Sequence, residues 1–239
     1  MLRHIYIYLI LLIFSLAAGA AETPDYTFTS YNSDFGFVQK EVMKIMQDRN
    51  GQMWFATWDT YKYIAGNFMM MGRNVSSWMN FDDVYSADFF ASLPEVDASR
   101  LSCMGFSMGA YRSWMLSALS DKVKLGVAIC WMHTTEYQIN RDYGLKRHEE
   151  WANLIPGIRR YMDYPHIASI ACPKPMLFIN GSKDKLFPPV SVEKAFAEMH
   201  SVWKSQGADD KLETEIWDMP HYCGPEVQSR ILEFLKKNL

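Results

Sequence analysis

Three side chains in this sequence have the types, order and surroundings that acyl transfer needs. Gly105-Phe106-Ser107-Met108-Gly109 has the form Gly-X-Ser-X-Gly. A serine hydroxyl is a weak nucleophile at its free pKa and needs an adjacent base. It also needs presentation at a sharp strand-to-helix turn, which the flanking glycines permit. Average Gly and Ser usage gives about 0.08 such matches by chance in a chain of this length. The context adds more: an apolar run ends at Gly105, and a helix-compatible segment starts at Met108. Asp184 follows one later apolar run and His221 follows another. Ser107 is thus the candidate nucleophile and His221 the base that takes and returns its proton. Asp184 is the carboxylate that fixes the imidazole tautomer. The backbone N–H of Met108 is the expected oxyanion donor.

Other residues compete for these roles. Asp218 is a rival acid, three residues before His221. Asp184 is preferred because sites in open α/β sheets form beyond the carboxyl ends of strands, although Gly-Ser-Lys-Asp is also turn chemistry. Trp131, Met132 and His133 follow another apolar run and are expected to line the pocket, with plain loop surface as the alternative for His133. His148, His166 and His200 have no partner pattern. Arg159 and Arg160 read as a solvated basic pair, or else as a grip on an acidic substrate group. The cysteines, Cys103, Cys130, Cys172 and Cys223, form no CxxC and no cluster with metal-ligand spacing. No metal, cofactor or obligatory disulfide is therefore expected.

The elements that must position these residues alternate. Helical patterns fall at 80–92, 108–120, 191–205 and 225–238; strand patterns fall at 100–105, 124–132, 176–180 and 213–219. Asn80 is the expected cap of the first helix. Residues 133–170 are irregular and contain Pro156-Gly157. Strands alternating with helices imply a mostly parallel sheet covered on both faces.

The chain of 239 residues is 49% hydrophobic with a formal net charge of −3, and no Lys/Arg-rich block appears. A globular core is therefore expected, and nucleic acid is not expected as a partner. Residues 1–21 have a short basic start, an apolar run and a small-residue Ala18-Gly19-Ala20. That layout reads as a cleavable signal peptide, leaving no stable membrane span and a secreted or periplasmic product. Residues 22–64 differ from the rest. Asn50-Gly51 between β-rich runs predicts a hairpin. Residues 45–59, Ile-Met-Gln-Asp-Arg-Asn-Gly-Gln-Met-Trp-Phe-Ala-Thr-Trp-Asp, resemble one repeat of the two-component regulator propellers, with Ala56 where the repeat has Gly. A lone repeat cannot bury its own faces.

From about 72 to 239 the chain resembles the α/β hydrolases, in their dienelactone-hydrolase and acetyl-xylan-esterase-like branch. The matching text is Gly72-Arg73, Phe81-Asp82-Asp83, Leu93-Pro94-Glu95-Val96-Asp97, Cys103 to Ala110, Tyr161 to Pro165, and Asn180 to Pro188. Serine, acid, then histidine is that superfamily's order. The resemblance implies an α/β-hydrolase domain over 65–239 and hydrolysis of small-molecule or carbohydrate esters, with acetylated polysaccharide as one source. Ser107 stands where dienelactone hydrolases carry Cys, which points to the esterase side. Members of the family carry further strands and an oxyanion loop before the nucleophile strand. Here only 65–99 precede it with family character, so the sheet is expected to lack part of its N-terminal half. The alternatives are a non-catalytic periplasmic sensor or binding fragment and an inactive truncated hydrolase.

Overall fold

The computed structural model describes the backbone of two strands, Val42–Gln47 (β1) and Met53–Thr57 (β2), and residues 65–137 and 155–239 in full. The signal-peptide expectation and His148 lie outside the described residues. Contacts divide the chain into two units, Met1–Trp58 and Asp59–Leu239. In the first, β1 and β2 pair antiparallel, with Ile45 opposite Phe55, as the β-rich runs around Asn50-Gly51 predict.

The second unit holds a four-stranded sheet in the order β3-β4-β5-β6, numbered along the chain. The strands are Ser102–Phe106 (β3), Leu125–Ile129 (β4), Met176–Gly181 (β5) and Leu212–Trp217 (β6). Every pairing among them is parallel. The helices before, between and after them are Val75–Ser92 (α1), Met108–Leu119 (α2), Tyr164–Ala168 (α3), Pro189–Ser205 (α4) and Pro225–Asn238 (α5). Among the described residues this is the α/β-hydrolase arrangement with a partial sheet that the resemblance implies.

Alternate residues of the central strands face two separate cores, because successive strand side chains point to opposite faces. Ala128, Met176 and Phe178 pack with Trp114 of α2, Tyr164 of α3 and Phe196, Met199 and Trp203 of α4. Leu125, Val127, Ile129, Leu177 and Ile179 pack with Val227, Ile231 and Phe234 of α5. Helices thus cover both faces of β4 and β5, which are buried throughout. At β3 the cover runs out. Met104 and Phe106 are exposed, at 57% and 38%. Among the described residues, β3 pairs with β4 alone.

One boundary differs from expectation. The first helix starts at Val75, five residues before the expected start, and Asn74 is its cap: the Asn74 side chain accepts from the Ser77 N–H at 2.7 Å. Asn80 lies inside the helix, with its amide donating to the Ser76 hydroxyl at 3.3 Å. Two Asn residues at like spacing offer the same local signal. Burial of Val75 and Ser76 decides between them. The 133–170 stretch is not wholly irregular, since α3 forms there. The Asp163 side chain caps it by accepting from the Tyr164 N–H at 2.7 Å, and His166 accepts from the Asp163 N–H at 2.9 Å.

Candidate active site

The β3–α2 junction sets the geometry of Ser107. Its backbone takes φ 56° and ψ −122°, a left-handed conformation that costs a non-glycine residue on the order of 1–3 kcal/mol. The turn is held from both sides: the Ser107 N–H donates to the Ile129 carbonyl at 2.8 Å, and the Ser107 carbonyl accepts from Ala110 at 2.8 Å. Gly105 is needed because a Cβ there would collide with the Gly109 carbonyl. Although Ser107 occupies the cap position of α2, its hydroxyl makes no capping bond and no other hydrogen bond among the described residues. It is left half-buried at the start of a helix. The Met108 N–H is the first of α2 and has no intrahelical acceptor. With the helix dipole behind it, this N–H suits a developing negative charge.

At the other end of the sheet, β5 and β6 are locked together past their pairing. A Cβ at Gly181 would strike the carbonyls of Met219 and Pro220. The Ser182 N–H donates to Trp217 at 2.8 Å and the Lys183 N–H to Met219 at 3.1 Å. These bonds bring the two following loops side by side. Asp184 and His221 meet there, with Nδ1 of His221 2.7 Å from Oδ2 of Asp184. The other carboxylate oxygen accepts from the Leu186 N–H at 2.8 Å. The Asp184 side chain is fully buried and that of His221 is 25% exposed. Since a carboxylate can only accept, Nδ1 carries the proton and Nε2 is left bare as a base. The His221 ring stacks obliquely on Phe106, centroids 4.7 Å apart, which sets it beside the residue preceding Ser107.

The competing acid goes elsewhere. Asp218 is solvent-exposed and pairs with Lys183 at 2.9 Å. That hydrogen bond and charge hold its carboxyl below the usual range. Met132 is buried in the core. Trp131 and His133 are buried in a cluster of rings with Tyr164 and Phe187. Phe187 stands between His133, at 5.2 Å, and His221, at 6.2 Å. Nδ1 of His133 is 2.9 Å from the Thr134 carbonyl, while Nε2 is buried without a partner. Burial pushes its pKa down to about 4, against the weaker upward pull of that carbonyl. Arg159 donates to the Thr135 hydroxyl at 2.7 Å. His166 caps α3, and His200 bridges Asp209 and Thr214.

Two features of the site carry no sequence signal of their own: Phe187, beside Pro188, and Cys130, within the 124–132 strand pattern. Cys130 sits just past β4 with φ 56°, and its thiol, Asp184 and His221 bring ligand atoms within 4.8 Å of one another. Those are groups a soft or borderline ion can use. Here Asp184 and His221 already spend the facing atoms on each other. Burial, reinforced by the Asp184 charge, raises the thiol's pKa against the backbone hydrogen bond to Tyr222. No sequence spacing signals this trio, because its members follow three different strands.

A sequence profile of the prolyl oligopeptidase family matches residues 66–239. YtaP of Bacillus subtilis (strain 168), named as a hydrolase, is 25% identical over 174 residues, or 73% of this chain; the chain spans 58% of that relative's length. Among solved structures, a glucuronoyl esterase from Solibacter usitatus gives a TM-score of 0.58 at 12% identity, covering 83% of this chain and 69% of that one. A carbohydrate esterase family 15 glucuronoyl esterase from Caldicellulosiruptor kristjansonii gives 0.52 at 16% identity, covering 62% and 45%. At these identities the structural likeness is one of fold. Together the matches bear out the α/β-hydrolase superfamily and its fold. Among the described residues, no helix is long and apolar enough to cross a membrane.

Proposed function

The chain belongs to the prolyl oligopeptidase family, and from that premise we propose that it is a serine hydrolase cleaving carboxyl esters through an acyl-enzyme. Ser107 is the nucleophile, His221 the base and Asp184 the orienting acid. The observation that carries this reading is the pairing of His221 with a buried Asp184 at 2.7 Å, with the His221 ring against Phe106, the chain neighbour of a strained serine whose hydroxyl is uncommitted.

The chemistry follows from those positions. His221 Nε2 removes the Ser107 proton as Oγ attacks the ester carbonyl, forming a tetrahedral oxyanion. The imidazolium is stabilised by Asp184, which stays ionised. The Met108 N–H, at the positive end of α2, stabilises the oxyanion. The tetrahedral species collapses with proton return to the leaving alcohol, and water repeats the sequence to free the acid. The Ser107–His221 bond closes on substrate binding, since such bonds are often long in free enzymes.

The substrate class is a small-molecule or carbohydrate ester, and the enzyme works after export. The glucuronoyl esterases among the fold neighbours make esters of sugar acids a class to try beside acetyl esters. The layout of residues 1–21 supports export. A fluorophosphonate probe should label the purified chain at Ser107, found by peptide mapping. p-Nitrophenyl acetate hydrolysis should fall at least about 10³-fold in Ser107→Ala. A folded chain that takes no label, or a variant that keeps its turnover, would remove Ser107 as nucleophile.

A further inference from the structure

The buried side of α1 faces α2, with Asp83 held by Arg112 at 2.9 Å and Ala87 packed inside. Its opposite side carries Trp78, Phe81, Tyr85 and Phe89. Spaced by three, four and four residues, these fall in one stripe about 80° wide at 100° per residue. All four are exposed, between 51% and 68%. A helix stripe of this kind in water marks an interaction site. At the stripe's N-terminal end an open cleft of about 490 Å³ is lined by Phe68, Arg73, Ser77, Trp78 and Phe81.

We propose that this face binds a second copy of the same chain, with the two α1 helices antiparallel about a two-fold axis. Three observations select that occupant. First, the stripe is self-complementary. In an antiparallel pair centred between residues 83 and 84, Phe81 falls within one residue of the second copy's Tyr85, and Phe89 falls opposite the second copy's Trp78, at the cleft. Each contact is made twice, as a closed two-fold interface requires. Second, Arg73 lies just before the N-terminus of α1 and Glu95 just past its C-terminus, so an antiparallel pair carries opposite charges at each end of the contact. Neither has an ion-pair partner among the described residues. Third, the area suffices. Four aromatic side chains of about 200 Å² each, a little over half exposed, offer roughly 500 Å² per copy. Two copies reach the ~1,000 Å² of a specific interface before the flanks are counted.

Sedimentation of the full chain across micromolar concentrations tests this. A reversible dimer is expected. Phe81→Lys should weaken self-association at least about tenfold, the loss of a central aromatic contact, with an unchanged circular dichroism spectrum. Arg73→Glu and Glu95→Arg should each weaken it, and the double variant should restore it, a rescue that nonspecific sticking would not give. A monomer at every concentration would overturn the proposal and hand the face to another occupant. So would a mass that keeps growing past two copies, or a dimer indifferent to these substitutions. None of these residues belongs to the site around Ser107, so ester turnover reports separately.

Discussion

The two edges of the sheet are finished differently. β6 is guarded by charge: Glu213 and Glu215 face Arg230 and Lys237 of α5. Arg230 Nε donates to Glu215 at 2.7 Å, its guanidinium also pairs with Glu213, and Lys237 reaches Glu213 at 2.7 Å. Such charges keep an edge strand from pairing with a stranger. β3 runs Ser102-Cys103-Met104-Gly105-Phe106, with no charge and no proline, and its outer side is unpaired among the described residues. It is written like an interior strand. The candidate site straddles this asymmetry: the acid and the imidazole hang from the finished β5–β6 end, and the serine from the open one. The finished end fixes its groups by burial and locked backbone. At the open end, a strained turn inside a single strand–helix junction does the positioning. That junction rests on β4 and Gly109, and the elbow forms with no neighbour beyond β3 among the described residues.

The sharpest way to break this contrast is at the finished end. Asp184→Asn keeps shape and burial while removing the charge that holds the His221 tautomer. Ester turnover should fall by roughly 10⁴-fold, measured against an unchanged thermal transition. A small loss would mean that the β5–β6 end does not set the base.

Between the two edges lies the ring cluster around His133. Its folded pKa of about 4 lies below the ordinary 6.5. In that window the unfolded chain binds a proton that the folded chain refuses. The contribution to stability is therefore full above pH 6.5 and is lost as pH falls toward 4. Denaturant unfolding at pH 4.5 and 7.5 should show His133 costing roughly 2–3 kcal/mol at the lower pH. In His133→Phe that pH difference should shrink by a like amount.

Smaller effects sharpen the edge comparison itself. Arg230→Met leaves Glu213 and Glu215 facing each other with only Lys237 beside them. Because the pairs are about a fifth exposed, solvent screening limits the loss to about 1 kcal/mol in chemical denaturation. Met104→Lys on the open edge should change stability by less than about 0.5 kcal/mol. It should nonetheless raise solubility, read by light scattering at high concentration. A large destabilisation by Met104→Lys would show that β3 is covered after all.

Much of this was legible in the sequence because it is encoded locally. Strand, elbow and helix around Ser107 are contiguous, and the glycine spacing states the turn. The order of serine, acid and histidine reflects which strand each residue follows. α5 was predicted with its observed bounds, since a proline start and an amphipathic face lie within one segment. The choice between Asn74 and Asn80 as cap was not local, and packing settled it.

What the sequence by itself determined is the alternation of elements, the parallel sheet and the three side chains at its strand ends, all written in periodicities of two and 3.6 residues and in turn residues. Only the tertiary structure decided that Asp184 rather than Asp218 meets the imidazole, that His133 is sealed among rings, that the Cys130 thiol lies beside Asp184 and His221, and that β3 has no outer neighbour among the described residues. Each of these depends on residues distant in the chain sharing or losing solvent. Burial and pairing across strands are properties of the assembled fold, and no single segment carries them.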